Sequence, residues 1–151
     1  RDRKLPNVRF KKGWAENIPL EDNSVDITVA VTAASFYDAD NIRKFASEAE
    51  RITKKGGYVA SVEVAPKWYG GELASVILGK SRKIDTDYLK DATFTELGFE
   101  HRDYYSIQDY QTVSKAVKTY GFIFGRKAIE YLQKHNKTTI KWKFRIYYRR
   151  K

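Results

Sequence analysis

The chain has 151 residues, of which 42% are hydrophobic and 32% are charged, which is enough apolar material for the core of one domain. It contains no Cys and only two His, so disulfides, thiolate catalysis and the common zinc and iron–sulfur ligand sets are excluded, and no metal site is expected. The sequence shows no apolar run long enough to cross a bilayer and no signal peptide. We therefore expect a cytoplasmic protein without a membrane partner.

The formal charge of +10 is unevenly distributed along the chain. Residues 115–151 contain twelve Lys and Arg but only one acid, Glu130, and their net charge is +11, whereas the first 114 residues have a net charge of −1. The basic character belongs to the C-terminal segment, where nucleic acid is a candidate partner.

The first half of the chain has the pattern of a parallel strand–helix–strand unit. Val25–Val31 is a β-branched run typical of a central strand that is buried on both faces. Asp38 or Asp40 can cap the helix that follows, and Gly56-Gly57 is expected to end it. Tyr58–Val64 is a second such strand, so short connections predict a right-handed βαβ unit. The apolar face of the helix consists of Ile42, Phe45, Ala46, Ala49 and Ile52.

Weaker patterns surround this unit. Residues 7–10 alternate as a short strand. Residues 66–84 and 106–138 have weak periodicity and are expected to be variable segments on the substrate side. A set of aromatic residues in and near these segments either lines an acceptor pocket or belongs to the core. The set is Trp68, Tyr69, Tyr104, Tyr105, Tyr120, Phe122 and Phe124. The patterns predict helices over 72–78, from Asp85 or Thr86 to Leu97, over 109–121 and over 126–134, and a strand over 99–105.

The last predicted strand, residues 140–148, alternates strictly between apolar and basic positions, as a strand with one buried and one wet face does. Two interpretations of the basic face are open. Lys and Arg on a peripheral strand prevent edge pairing and favour solubility. Alternatively, cations spaced about 7 Å apart bind phosphates, and Tyr147 stacks on a base. The candidate nucleic-acid residues are Lys141, Lys143, Arg145, Tyr147 and Arg149.

Three motifs occur in order: Gly13-Trp14-Ala15-Glu16-Asn17-Ile18-Pro19-Leu20, Asn23-Ser24-Val25-Asp26 and Arg51-Ile52-Thr53-Lys54-Lys55-Gly56-Gly57. Together they resemble the class I S-adenosylmethionine-dependent methyltransferases, most of all the type 11 branch. The resemblance implies an α/β, Rossmann-like, three-layer α/β/α domain over residues 1–151, with a mostly parallel sheet and an antiparallel terminal strand. It also implies methyl transfer from S-adenosylmethionine to an unknown acceptor, either a small molecule or RNA.

The resemblance also implies which residues hold the cofactor. In the family, the loop after the third strand holds adenine and the loop after the fourth passes along the cofactor. An indole at position 14 can stack on adenine but cannot accept a hydrogen bond from its amine, which leaves that role to Glu16 or to a backbone carbonyl. Glu16 has an alternative interpretation as a solvated loop carboxylate, and no catalytic residue is identified. The implied cofactor residues are Trp14, Ala15, Glu16, Val31, Thr32 and Phe36.

Part of the family pattern has no counterpart in this sequence. The first strands, the Gly-x-Gly-x-Gly loop and the acid after the second strand are missing, and these elements hold the methionine and the ribose. We therefore expect the 151 residues alone to be inactive and to bind the cofactor poorly. We also expect them either to self-associate through the exposed sheet edge at Val25–Val31 or to be unstable. Two other functions stay open: a degenerate, non-catalytic basic binding module, and an RNA-directed methyltransferase.

Overall fold

A computed structural model describes residues 7–32, 38–78 and 85–151, with only the backbone for 85–87. Four strands form one sheet in the order β1-β2-β4-β3. Strands β1 and β2 are parallel, and β4 is antiparallel to both of its neighbours, so that β1, β2 and β3 share one direction. This confirms the predicted α/β sheet with its reversed terminal strand. The strands are β1 (Val25–Val31), β2 (Thr53–Val64), β3 (Glu100–Asp109) and β4 (Thr139–Arg150).

Helices connect these strands. Asp38 caps α1, because its carboxylate accepts a hydrogen bond from Asn41 N at 2.8 Å. A π-helical turn at Val117–Gly121 joins α4 to α5, and a 3₁₀ turn at Gly71–Leu73 precedes α2. The α-helices are α1 (Ala39–Ile52), α2 (Ala74–Leu78), α3 (Asp85–Glu96), α4 (Val113–Ala116), α5 (Phe122–Phe124) and α6 (Arg126–Lys134).

The end of α1 differs from the prediction. The helix ends at Ile52, and the buried Thr53 donates its hydroxyl hydrogen to the Ala49 carbonyl at 2.6 Å. Gly56 and Gly57 therefore lie inside β2 instead of ending the helix. A Cβ at Gly57 would lie 2.3 Å from the backbone oxygen of Asp26, so the glycine is required by the close approach of β1.

The main core lies between one face of the sheet and helices α1 and α3. The predicted apolar face of α1 is buried in full, which confirms that pattern. Phe94 of α3 stacks on Tyr147 of β4 with their ring centroids 4.4 Å apart, which joins this helix to the centre of the sheet. The core consists of Ile42, Phe45, Ala46, Ala49, Val59, Phe94, Phe99 and Tyr147.

The face of β1 that points away from the main core is not covered by the described residues. Ile27, Val29 and Val31 are exposed on it, and β1 lies at the edge of the sheet. The prediction of a central strand buried on both faces is therefore wrong for the described residues, because a continuous apolar run does not say what covers each face. Residues 7–10 form no strand and pair with none of the described strands, so that prediction is also wrong.

Strand β4 forms as predicted, but its basic face is not the wet one. Tyr147 is only 2% exposed, and the Arg145 side chain is only 15% exposed, because this face lies beneath α3. Nor is the strand peripheral, since it lies between β2 and β3. Acids from neighbouring elements pair with its cations: Arg145 with Asp91 and Asp103, Lys143 with Asp103, and Arg149 with Glu50, all at 2.6–2.7 Å.

Connections at the carboxyl ends of the strands form a second core. Strand β3 runs to Asp109 and Thr112 caps α4, so the helix begins after the predicted position 109. The segment between β3 and β4 packs against α2 at the edge where β1 and β2 end. Its core consists of Leu73, Tyr110, Ala116, Tyr120, Ala128, Leu132 and Ile140. These connections therefore lie at the sheet edge where ligands of parallel α/β sheets bind.

Candidate cofactor site

The loop before β1 forms a surface pocket of about 490 Å³. A Cβ at Gly13 would lie 2.5 Å from Pro19 Cδ, so the loop folds back on itself at a point where only glycine fits. Asn17 N donates to the Trp14 carbonyl at 3.1 Å and closes the turn. The lining residues are Arg9, Lys11, Gly13, Trp14, Ala15, Ile18, Pro19 and Leu20.

The pocket loop is fastened to α1 by two side chains, Glu48 and Arg51. The Glu48 carboxylate accepts from Ile18 N at 2.9 Å. The Arg51 guanidinium donates to the carbonyls of Ile18 and Leu20, each at 2.9 Å. Arg51 also pairs with Glu48 at 2.9 Å and with Asp22 at 2.7 Å, so one guanidinium joins the helix to both sides of the loop.

These contacts perturb the protonation of both groups. Hydrogen bonds from Arg51, followed by the one from Ile18 N, lower the pKa of Glu48 to about 2. The same pairing raises the pKa of Arg51. Both side chains are therefore charged throughout the physiological pH range, and the loop is held by charge-assisted hydrogen bonds.

Three of the implied cofactor residues are consecutive in this loop. The Trp14 indole is 73% exposed at the pocket and offers a flat apolar face. Ala15 packs against the main core, which fixes the backbone beside that indole. The Glu16 carboxylate is exposed and makes no hydrogen bond or ion pair with the described residues. Glu16 is not among the residues that line the pocket. The exposed indole face fits the ring of an adenine.

The other implied cofactor residues are not brought into this pocket. Val31 ends β1 with its side chain on the uncovered face of the sheet. Thr32 has a φ of 45° and donates its N–H to the Val62 carbonyl at 2.7 Å, which fastens the start of the following loop to β2. Phe36 lies outside the described residues. The structure thus places Val31 and Thr32 at the carboxyl edge of the sheet, separate from the pocket.

The aromatic residues divide between core and surface. Tyr120 is buried, and its hydroxyl donates to the Gly70 carbonyl. Tyr69 and Phe124 meet edge to face with their centroids 5.5 Å apart. The indole nitrogen of Trp142 is buried without a hydrogen-bond partner among the described residues. The exposed members of the predicted set are Tyr69, Tyr104, Tyr105 and Phe122.

The candidate nucleic-acid residues of β4 are not exposed enough to bind phosphates and a base. Tyr147 is buried and cannot stack on a base, and its hydroxyl donates to Asp91 at 3.2 Å. Arg145 and Arg149 already pair with acids. Lys141 is exposed, but its ammonium lies 4.4 Å from the Tyr105 ring centroid. The sequence reveals the alternation of the strand but not the acids that α3 and β3 bring to its basic face.

Sequence reasoning named Arg51 only as the start of a motif and did not single out Glu48, so it missed the role of this pair in holding the pocket loop. The Glu-x-x-Arg spacing on a helix was a visible signal, because residues three apart share a face. It indicated a pair within the helix, whereas the bonds to Ile18 and Leu20 depend on the path of the loop.

The structure contains no group of three potential metal-ligating side chains within residues 7–32, 38–78 and 85–151. Over the same ranges, none of the helices has the length and apolar character needed to cross a membrane.

Comparison with known proteins identifies the segment that contains the pocket. A family model described as a methyltransferase domain matches residues 1–61. Over these residues the chain resembles the methyltransferase-domain family. The predicted resemblance to class I methyltransferases of the type 11 branch is thereby confirmed, and the matched segment includes the pocket loop, β1, α1 and the first part of β2.

Curated methyltransferases match the same part of this chain. The phthiotriol/phenolphthiotriol dimycocerosates methyltransferase of Mycobacterium tuberculosis is 35% identical over 63 residues, which cover 42% of this chain and 23% of that protein. The ubiquinone/menaquinone biosynthesis C-methyltransferase UbiE of Campylobacter jejuni is 35% identical over 75 residues, which cover 48% of this chain and 30% of that protein. The match thus spans less than a third of either relative.

Solved structures show the same fold over nearly the whole chain. A candidate methyltransferase from an antibiotic biosynthesis pathway of Anabaena variabilis matches with a TM-score of 0.52 and 15% identity, covering 94% of this chain and 74% of that one. The YcgJ protein of Bacillus subtilis matches with a TM-score of 0.51 and 18% identity, covering 96% and 72%. At these identities the likeness establishes the Rossmann-like methyltransferase fold alone.

Proposed function

We propose that the protein is an S-adenosylmethionine-dependent methyltransferase whose adenine subsite is the pocket at Trp14 and Ala15. The observation that carries this proposal is the exposed indole on a loop fastened to α1, within the segment that the methyltransferase-domain family matches. The curated relatives are methyltransferases over this same segment, which supports the assignment.

The residues of the pocket suit one half of the cofactor. Trp14 would stack on the adenine ring, and Glu16 would accept from its amine. The Glu48–Arg51 pair would hold the loop so that both contacts are made without reordering the backbone. When bound, S-adenosylmethionine supplies an electrophilic methyl group. Val31 and Thr32, at the carboxyl end of β1, would face the rest of the cofactor at the usual ligand edge of the sheet.

The acceptor side is proposed to be the connections at the same edge, residues 65–78 and 110–138. Aromatic side chains there would help to exclude water around a bound acceptor, and methyl transfer mainly needs positioning and a water-poor site. The names of two relatives refer to dimycocerosates and to ubiquinone or menaquinone biosynthesis. Together with the aromatic surface around Tyr69 and Phe124, this favours an apolar acceptor.

Binding of S-adenosylhomocysteine to the full-length protein, measured by calorimetry, tests the proposal. Trp14→Ala is expected to weaken binding about 5- to 150-fold, from the range for stacking of a base on an aromatic side chain. Tyr88→Ala, at an exposed tyrosine of α3, is the matched control and is expected to bind like the wild type. Unchanged affinity in Trp14→Ala would place adenine elsewhere, and no binding by the wild type would contradict the methyltransferase assignment itself.

A further inference from the structure

The helical segment Val113–Phe124 presents an unusual outer face. Its inner face is packed through Ala116, Tyr120 and Gly121, all buried. Its outer face carries Phe122, which is 86% exposed, and Ile123, which is 63% exposed. Two adjacent large apolar side chains are thus left in water on a segment whose other side is fully used by the core.

Close packing fixes the orientation of this outer face. A Cβ at Gly121 would lie 2.7 Å from the Ile129 side chain, so the segment crosses α6 at a distance that only glycine allows. Tyr120 contacts the Phe124 ring with their centroids 4.5 Å apart. Phe122 and Ile123 therefore cannot turn inward without breaking this core.

Exposed cations flank the apolar pair on both sides along the chain. Lys115 and Lys118 are exposed on the same segment, and Arg126 and Lys127 begin α6 directly after it. The one acid in residues 113–138 is Glu130, which pairs with Arg126 at 2.6 Å. The Lys115 ammonium contacts only the neutral Gln111 side chain among the described residues. The apolar pair thus lies between exposed cations along a segment whose net charge is positive.

An exposed apolar pair flanked by Lys and Arg matches the surface of an anionic bilayer. The apolar side chains enter the boundary between headgroups and acyl chains, while the cations stay at the level of the lipid phosphates. Nucleic acid would meet the cations but gain little from an aliphatic side chain such as Ile123, because recognition there uses stacking planes. The combination therefore favours a membrane over a polynucleotide.

We propose that Phe122, Ile123 and the surrounding cations form a surface that docks the protein on an anionic phospholipid membrane. This goes beyond methyl transfer and reverses the expectation of no membrane partner. That expectation depended on the absence of a spanning segment, whereas an interfacial surface needs none. The surface lies at the carboxyl edge of the sheet, so docking would bring a lipid-soluble acceptor to the proposed methyl-transfer site; this last step rests on the proposed function.

Co-sedimentation with vesicles tests the docking surface without any cofactor. The full-length protein is mixed with vesicles of phosphatidylcholine alone and with vesicles in which part of it is replaced by phosphatidylglycerol. We expect binding to the anionic vesicles that weakens as salt is added. Phe122→Ser/Ile123→Ser is expected to lower the partition coefficient about 100-fold, from the loss of two buried apolar side chains. Lys115→Gln/Lys118→Gln is expected to lower the partition coefficient about fivefold for each lysine that is replaced.

Matched variants control for hydrophobicity and charge. Tyr88→Ser/Ile107→Ser removes two exposed apolar side chains elsewhere, and Lys44→Gln/Lys55→Gln removes two exposed cations elsewhere. Both are expected to bind vesicles like the wild type. Thermal melts followed by circular dichroism confirm that each variant is folded, which is expected because every substituted side chain is exposed.

Three results would overturn the proposal. These are absence of vesicle binding by the wild type, wild-type binding by the Phe122/Ile123 variant, and an equal loss in the control variants.

Binding to RNA with the same lysine dependence, but not to vesicles, would identify the patch as a nucleic-acid surface instead. A change of oligomeric state in the Phe122/Ile123 variant without vesicle binding would identify it as a contact between copies. Since cofactor binding is measured separately, failure of docking and failure of the proposed function are distinguishable.

Discussion

Replacing Glu48 by Gln should loosen the pocket loop while leaving the main core intact. The carboxylate accepts three hydrogen bonds of 2.9 Å, one from Ile18 N and two from the Arg51 guanidinium. Bonds to a charged group are worth about 1.5–3 kcal/mol each when buried, but this pair is partly exposed and Gln keeps one acceptor oxygen. We therefore expect the free energy of unfolding to fall by about 1–2 kcal/mol at neutral pH.

The effect of Glu48→Gln should also depend on pH. Because the pKa of Glu48 is lowered to about 2 in the folded chain, its stabilising contribution is present above the ordinary glutamate pKa and is lost as pH falls through about 2. The difference in stability between wild type and variant should therefore shrink on acidification. Urea unfolding at about pH 7 and about pH 3, followed by circular dichroism, measures this difference.

Glu130→Gln is the matched control for that experiment. Glu130 also pairs with an arginine, at 2.6 Å, but on the surface and without a bond to another element. Its effect should be below about 0.5 kcal/mol. If Glu48→Gln is as mild as Glu130→Gln, or if its effect is the same at both pH values, the Glu48–Arg51 pair does not hold the loop.

Three further substitutions test the packing. Gly57→Ala places a Cβ 2.3 Å from the Asp26 backbone oxygen and should cost about 1–3 kcal/mol in urea unfolding; a neutral result would contradict the close strand approach. Tyr120→Phe leaves the buried Gly70 carbonyl without its donor. The free energy of unfolding should fall by about 1–3 kcal/mol, which a lower thermal midpoint would show. Arg145→Leu leaves Asp103 with Lys143 as its remaining partner and should lower the free energy of unfolding by about 1 kcal/mol. The pKa of Asp103, now held well below its usual range, should rise in an NMR titration.

Local pattern determined much of the fold. The three- and four-residue spacing of apolar positions in α1 and the strict alternation in β4 each predicted the element that forms, because each period matches one backbone geometry. The pocket loop was indicated by its motif, since a specific series of residues at fixed spacing is a local property. The structure indeed places Trp14 and Ala15 together at a pocket.

Tertiary structure alone decided which faces are covered. Alternation shows that β4 has two unlike faces, but it does not show which face is covered. Asp91 of α3 and Asp103 of β3 pair with Arg145. Asp91 also accepts a hydrogen bond from the Tyr147 hydroxyl, so the face with Arg145 and Tyr147 is the covered one. Likewise, the apolar run of β1 did not reveal that the described residues leave one face open. The burial of a side chain depends on partners that are distant along the chain, and these partners are not part of a local pattern.

At the candidate sites, too, local sequence predicted individual side chains but not the contacts between distant residues. Trp14 was predicted from its neighbours in sequence, whereas the fastening of its loop by Glu48 and Arg51 joins positions about thirty residues apart. Phe122 was expected either in an acceptor pocket or in the core, and Ile123 was not singled out. The packing of Gly121 against α6 leaves both side chains in water. Sequence determined which side chains were available and the periodicity of each element; contacts between distant elements decided which side chains were left free to bind.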